Sequence, residues 1–405
     1  MKTLIRIIII IAFATSCSSN KQPEDGLVCI DVKKNYSEKE ILLTDIADVT
    51  YLYLSSDDAD YLYSGRNLYV TKNTVVVLDN RSGNILFFTK DGVPKSHFNH
   101  NGQGPEEYLY AYRLIYDEKS DEVFVVMGGR GNNIVQVYSS KGVYKRKITL
   151  PQEAEVFDLI DFDDHSFFFF DILPTIMRDF ALRERENFPV DDYVLPFYRI
   201  SKTTGEVLDR VELPGTDLKL GYMYNDGRWV LAPRIYALKC PEGVLLGNAE
   251  ADTMFLYSDK NPLTPVIYQT PPAASLSPVE YISRCLDRDQ YQFIQVNILR
   301  EGEFQGFFPA KHYMRNKKTG ETVRPKFLLP NYQGKEFSMD PNRPKADGRA
   351  ANDGFIYEDG YCLELGLYEL KEAYRENKLS GKLKELVATL DEDNDNNIFM
   401  LVDFK

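Results

Sequence analysis

The chain has 405 residues, and its 61 acidic against 48 basic side chains give a formal net charge of −13. Binding a phosphate backbone needs clustered Lys and Arg, so this balance argues against a nucleic-acid partner and for a soluble, acidic surface. A hydrophobic content of 43% allows a sizeable core, and 27 Tyr with 24 Phe lean toward sheets, because flat side chains fit a pleated surface.

Lys2 and Arg6 form a short basic start, followed by an apolar run over residues 7–13 that is too short to cross a bilayer. Ala14-Thr15-Ser16-Cys17 then supplies small residues and a thiol, and residues 18–26 are polar and linker-like. This arrangement resembles the bacterial lipobox, with Ala14 where the consensus has Leu. The resemblance implies a signal peptide over residues 1–16, a lipidated Cys17 as the mature N-terminus, and a linker over 17–26. Four thiols remain, Cys29, Cys240, Cys285 and Cys362, without a Cys-x-x-Cys pair. They read as isolated buried thiols, with disulfides open in an oxidising compartment.

From residue 27 onward one pattern recurs: an apolar or aromatic run, a polar turn, and a second run. Residues 75–79 turn at Gly83 into 85–88, and 134–138 turn at Gly142 into 143–148. Residues 197–200 turn at Gly205 into 207–213, 254–257 turn near Asn261 into 266–268, and 312–314 turn at Gly320 into 323–329. The turns are separated by 59, 63, 56 and 59 residues. A sixth unit is expected near residue 380, where residues 367–390 read as helical before a final strand at 398–404. Residues 175–187 read as a short helical insertion.

A repeated sheet that cannot bury both of its faces alone calls for a ring. The fold predicted over residues 27–405 is therefore all-β, a six-bladed β-propeller with short helical insertions. The strand at 49–54 is expected to share the last blade with residues 398–404 and close the ring.

Between the first two hairpins lies His100-Asn101-Gly102-Gln103-Gly104-Pro105-Glu106-Glu107-Tyr108. With the lipobox, the strand from Leu43 to Leu54 and the C-terminal strand, it resembles the Gly-x-Gly-Pro-x-Glu-Tyr signature of the bacterial 6-bladed beta-propeller lipoproteins, relatives of NHL-repeat propellers. The resemblance covers residues 17–150 and 396–405, and rests on spacing alone between them. It implies a propeller in the cell envelope, lipid-anchored to the outer membrane, and little about chemistry. Read from its residues, the signature is a fixed turn between blades, with ligand contact as the alternative.

No chemical motif stands out. Gly128-Gly129-Arg130-Gly131 lacks the helix and Lys-Ser/Thr of a P-loop, and residues 391–397 fail the calcium-loop pattern at positions 6 and 12. Only His97, His100, His165 and His312 are present, so no zinc set can be nominated by spacing, and no metal or cofactor is expected. The sequence favours a lipid-anchored binding or scaffold propeller for a glycan, peptide or protein of the envelope. The alternative is a propeller lyase or glycoside-cleaving enzyme with acids and His100 or His165 converging on the central channel. His100, Gln103, Glu106, Arg113 and Arg130 are the candidate ligand-binding residues.

Overall fold

The computed structural model describes residues 27–405 except 57, 65–66, 128–132, 152–155, 172–193, 215–221, 226–227, 232–234, 249–250, 261–262, 301–307, 340–353 and 358–359. Cys17, Arg130, the turn at Asn261 and the insertion at 175–187 therefore lie outside the described residues.

Strands β1 (Val28–Asp31) and β2 (Glu38–Leu42) precede a short helix, Leu43–Ile46, and strand β3 (Ala47–Tyr53). Blade 1 is built from β4 (Asn67–Val70), β5 (Thr74–Leu78), β6 (Ile85–Thr89) and β7 (Pro94–Phe98). Blade 2 contains β8 (Ala111–Asp117), β9 (Glu122–Met127), β10 (Ile134–Tyr138) and β11 (Tyr144–Thr149). Blade 3 contains β12 (Val156–Asp163), β13 (Ser166–Asp171), β14 (Val194–Ser201) and β15 (Val207–Pro214). A separate hairpin follows, β16 (Tyr222–Asn225) with β17 (Arg228–Leu231). Blade 4 is β18 (Ile235–Cys240), β19 (Gly243–Asn248), β20 (Thr253–Tyr257) and β21 (Thr264–Thr270). Blade 5 is β22 (Val279–Asp287), β23 (Tyr291–Leu299), β24 (Ala310–Asn316) and β25 (Thr322–Leu328), extended by the short β26 (Glu336–Phe337). Blade 6 is β27 (Gly354–Tyr357), β28 (Gly360–Leu365), β29 (Ile398–Phe404) and, from the other end of the chain, β3.

The first strand of each of these sheets is an edge strand, and β4 touches β8, β12 touches β18, and β18 touches β22. These edge strands face the propeller axis. Strands next to them are buried on both faces, which explains their unbroken apolar runs. In β5, Val75 and Val77 pack toward blade 6 while Val76 and Leu78 pack toward blade 2. In β13, Phe167 and Phe169 face blade 2 while Phe168 and Phe170 face blade 4. The described core accordingly resolves into six apolar clusters, one at each junction between neighbouring blades.

The chain ends close the ring as the sequence predicts. β29 pairs antiparallel with β3 from Ile398 opposite Tyr53 to Phe404 opposite Ala47. The acidic stretch before β29 reinforces this junction. Asp395 accepts hydrogen bonds from Tyr53 Oη at 2.7 Å and Ser56 Oγ at 2.6 Å, and Asn396 Nδ2 donates to the carbonyls of Leu54 and Tyr61. The helical reading of residues 367–390 resolves into two helices, Leu367–Arg375 and Gly381–Thr389, inserted between β28 and β29. None of the four later cysteines forms a disulfide among the described residues.

Two features differ from the sequence reading. The turn at Gly83 joins the second and third strands of its blade, whereas those at Gly142, Gly205 and Gly320 join the third and fourth. The equivalent turn of blade 1 is at Gly92. This turn needs glycine for two reasons: φ is +82°, +77° and +77° at Gly92, Gly142 and Gly205, and each abuts the last strand of the preceding blade. A Cβ on Gly92 would meet the Tyr53 carbonyl oxygen at 1.8 Å, and one on Gly205 would meet that of Thr149 at 2.4 Å. The second difference is an N-terminal belt. β1 adds a parallel fifth strand outside β21 of blade 4, and β2 adds one outside β25 of blade 5.

Phe399 lies fully buried in the blade 6 to blade 1 cluster. Phe399→Ala is expected to cost about 3–5 kcal/mol in denaturant unfolding, and a loss well below ~1 kcal/mol would show that this junction does not hold the ring.

Candidate functional site

The signature segment joins the last strand of blade 1 to the first strand of blade 2, and its polar atoms bond across that junction. Tyr108, fully buried, donates from Oη to the Gly83 carbonyl at 2.6 Å and accepts the His100 amide at 3.1 Å. Glu107 folds back so that Oε2 accepts the Gly104 amide at 2.7 Å. A Cβ on Gly102 would lie 2.0 Å from the same oxygen, so the carboxylate fits only over glycine. From blade 2, Tyr138 Oη donates to the Glu106 carbonyl at 2.6 Å, and Gln136 Nε2 donates to the carbonyls of Pro105 and Glu107. The signature is a clamp between blades.

This sorts the predicted residues. His100 stacks on Tyr138 at 5.1 Å, and its Nε2 donates to the Gly142 carbonyl at 2.7 Å. It therefore sits against the outer turn of blade 2, away from the axis, and serves the clamp. Gln103 and Glu106 share the loop with exposed side chains. Arg113 stands half-buried on the inner strand β8, where burial lowers the pKa of its guanidinium. Arg130 lies outside the described residues. His165 is exposed in the turn between β12 and β13 of blade 3, so His100 and His165 do not converge. Among the described residues no group of three His, Cys, Asp or Glu could hold a metal ion.

Other perturbed acids bond either between blades or within one. Glu118, in a turn of blade 2, accepts from Thr74 Oγ1 at 2.6 Å and from Thr71 and Asn73 of blade 1. Burial acts to raise its pKa, but these bonds together hold it below the ordinary value. Arg199 of blade 3 bonds Asp163 of its own blade and Asp259 of blade 4. Asp287 of blade 5 is raised by burial although Lys317 Nζ lies 3.0 Å away.

The sequence reading missed two places. The first is a pocket of about 80 Å³ on the blade 5 sheet, capped by residues 337–339, where Arg284, Gln295 and His312 form one row across β22, β23 and β24. The alternation of these strands placed the three on one face, but no motif marked them.

The second is the mouth of the axis at blade 2. Tyr110 adopts φ +54° and is 74% exposed. Tyr112, 45% exposed, is the extra residue of a β-bulge, since Ala111 pairs with Met127 and Arg113 with Val126. A left-handed tyrosine costs about 1–3 kcal/mol, and bulges re-aim side chains next to sites. Two successive backbone irregularities thus present two tyrosines to water at the start of an inner strand. Leu109 beside them is also exposed.

With this geometry in hand, comparison with known proteins places the chain. Residues 18–196 match the model of the DUF5128 family, described as "6-bladed beta-propeller". That match spans less than half of the chain, and the six blades described above agree with the family's description. The match runs past residue 150, where the sequence resemblance had rested on spacing. No curated protein matches. A Bacteroides fragilis NCTC 9343 protein assigned as exported superposes with a TM-score of 0.57 at 15% identity, covering 94% of this chain and 99% of its own. A member of the duf4221 family from Bacteroides vulgatus ATCC 8482 gives 0.47 at 11% identity, with 89% and 97% covered. Virginiamycin B lyase from Staphylococcus aureus gives 0.33 at 10% identity, with 68% and 97% covered. At 15% identity the likeness to the Bacteroides fragilis protein speaks for the fold alone.

Because Tyr108 Oη joins Gly83 to His100, Tyr108→Phe is expected to lose about 1–3 kcal/mol of stability while keeping the fold. An unchanged denaturation midpoint would show that the signature does not act as a clamp.

Proposed function

We propose that this propeller is a lipid-anchored, extracytoplasmic binding protein that recognises its ligand at the mouth formed by the signature connector and β8. The observation that carries this reading is the exposed pair Tyr110 and Tyr112, held out by a left-handed residue and a bulge. Strain of this kind persists where the surrounding fold over-determines it, and it clusters at binding sites. An open aromatic face with hydroxyl edges suits a sugar, which offers apolar C–H faces to stack and hydroxyls to bond. Envelope glycans are therefore the favoured ligand class, ahead of peptides or proteins. Exposed Gln103 and Glu106 on the same connector would supply polar contacts. The anchor rests on Cys17 and the residues before it.

Two measurements test the proposal. Retention of the chain on immobilised envelope glycans should fall about five- to tenfold in Tyr110→Ala, the loss of one stacked aromatic of roughly 1–1.5 kcal/mol. Equal retention by the variant would remove the mouth from the account. For the anchor, radiolabelled palmitate should enter the wild-type chain in cells and not Cys17→Ser, and label persisting in that variant would refute lipidation.

A further inference from the structure

The outer turns of the blades repeat a feature that neither the clamp nor the mouth uses. Just after the turn between third and fourth strands, blade 1 exposes Val93 (56%), blade 2 Val143 (64%), blade 3 Leu208 (53%) with Val207, and blade 4 Leu263 (38%). A single exposed aliphatic side chain is ordinary, but exposed aliphatic residues within two positions of the start of the fourth strand in four successive blades are a pattern, with Glu206 of blade 3 in the place held by Val93 and Val143. The turns between third and fourth strands lie at one height around the axis of a propeller, so these side chains beside them form an arc on the rim. Basic residues stand in the same turns, Lys90, Lys141 and Lys260. The neighbouring acids are Asp91, Glu206 and Asp259, and Asp259 is paired with Arg199 at 2.5 Å.

The N-terminal belt ties the anchor to this arc. β1 runs parallel to β21 with Val28 opposite Ile267, and β21 begins directly after Leu263. The chain therefore enters the propeller from the side of blade 4 on which the arc lies. Cys17 precedes Val28 by eleven residues, a reach of at most about 40 Å. A short tether ending beside an apolar and basic rim has one natural occupant for that rim.

We infer that the rim formed by Val93, Val143, Val207, Leu208 and Leu263 rests on the lipid bilayer that holds the anchor. The aliphatic side chains enter the interfacial layer and the lysines meet lipid phosphates. This contact fixes the orientation of the propeller against the membrane. The inference rests on the lipid anchor proposed above.

The test uses the full acylated chain on vesicles of phosphatidylethanolamine and phosphatidylglycerol. Cys240, Cys285 and Cys362 are buried, so in a Cys29→Ser background a nitroxide attaches at an introduced surface thiol. Labels at Val143→Cys and Leu208→Cys are compared with one at Leu62→Cys, an exposed position on the connector between blades 6 and 1. On vesicle binding, the rim labels should gain at least about twofold in collisions with dissolved oxygen relative to a water-soluble nickel complex, while Leu62→Cys stays unchanged. Rim labels that remain as water-exposed as the control overturn the inference and leave the anchor standing. Flotation separates the other failure. If the wild-type chain floats no better than Cys17→Ser, the anchor is wrong and the rim contact falls with it.

Discussion

Everything in this structure depends on strands that are buried on both faces. A strand such as Thr74–Leu78 sends alternate side chains into two different junctions, so no blade completes a core without both neighbours. An open row of such blades would leave two apolar faces in water. The ring removes them, and its closure rests on β29 pairing with β3. The six clusters are thus links of one circular core, and a fault at one junction is felt on both sides of it.

Polar groups are arranged to the same end. The Gly-Pro-Glu-Glu-Tyr connector, the acidic loop before β29 and the Glu118 network each hold one blade to the next. These are the segments richest in chemically suggestive residues, and their side chains bond mainly to backbone or to one another. A loop that resembles a calcium site in composition is here a staple for ring closure. What remains available to a ligand is the set of side chains the junctions do not use, foremost the tyrosines at the start of β8.

Much of the fold was legible in the sequence because hairpins are local. Gly142, Gly205 and Gly320 marked turns whose positive φ the structure shows, and the C-terminal run at 398–404 could only be a buried strand. The belt was not legible. β1 and β2 pair in parallel with strands more than two hundred residues away, and the exposed Glu38-Lys39-Glu40 shows none of the alternation that betrays a strand. The spacing from Gly83 also concealed a change of register, because both of its blade's later turns carry glycine. At the candidate site the sequence drew attention to the connector between blades 1 and 2 but not to Tyr110 and Tyr112 at its end. His100 was chosen for its chemistry and proves to be packing, whereas Tyr110 was passed over because most tyrosines here fill junctions. Only backbone dihedral angles and exposure distinguish it.

The central claim is that the two ends of the chain share one sheet, and a cross-link tests it most directly. Asp48 lies opposite Asp403 in the β3–β29 pair, and directly opposed antiparallel residues have Cα atoms about 4.5–5.5 Å apart, within the range a disulfide spans. The double substitution Asp48→Cys with Asp403→Cys should therefore form an intramolecular disulfide under mild oxidation of the folded chain, seen as a faster-migrating monomer. Two thiols that stay reduced in the folded protein, or that link only between molecules, would contradict a ring closed by its termini.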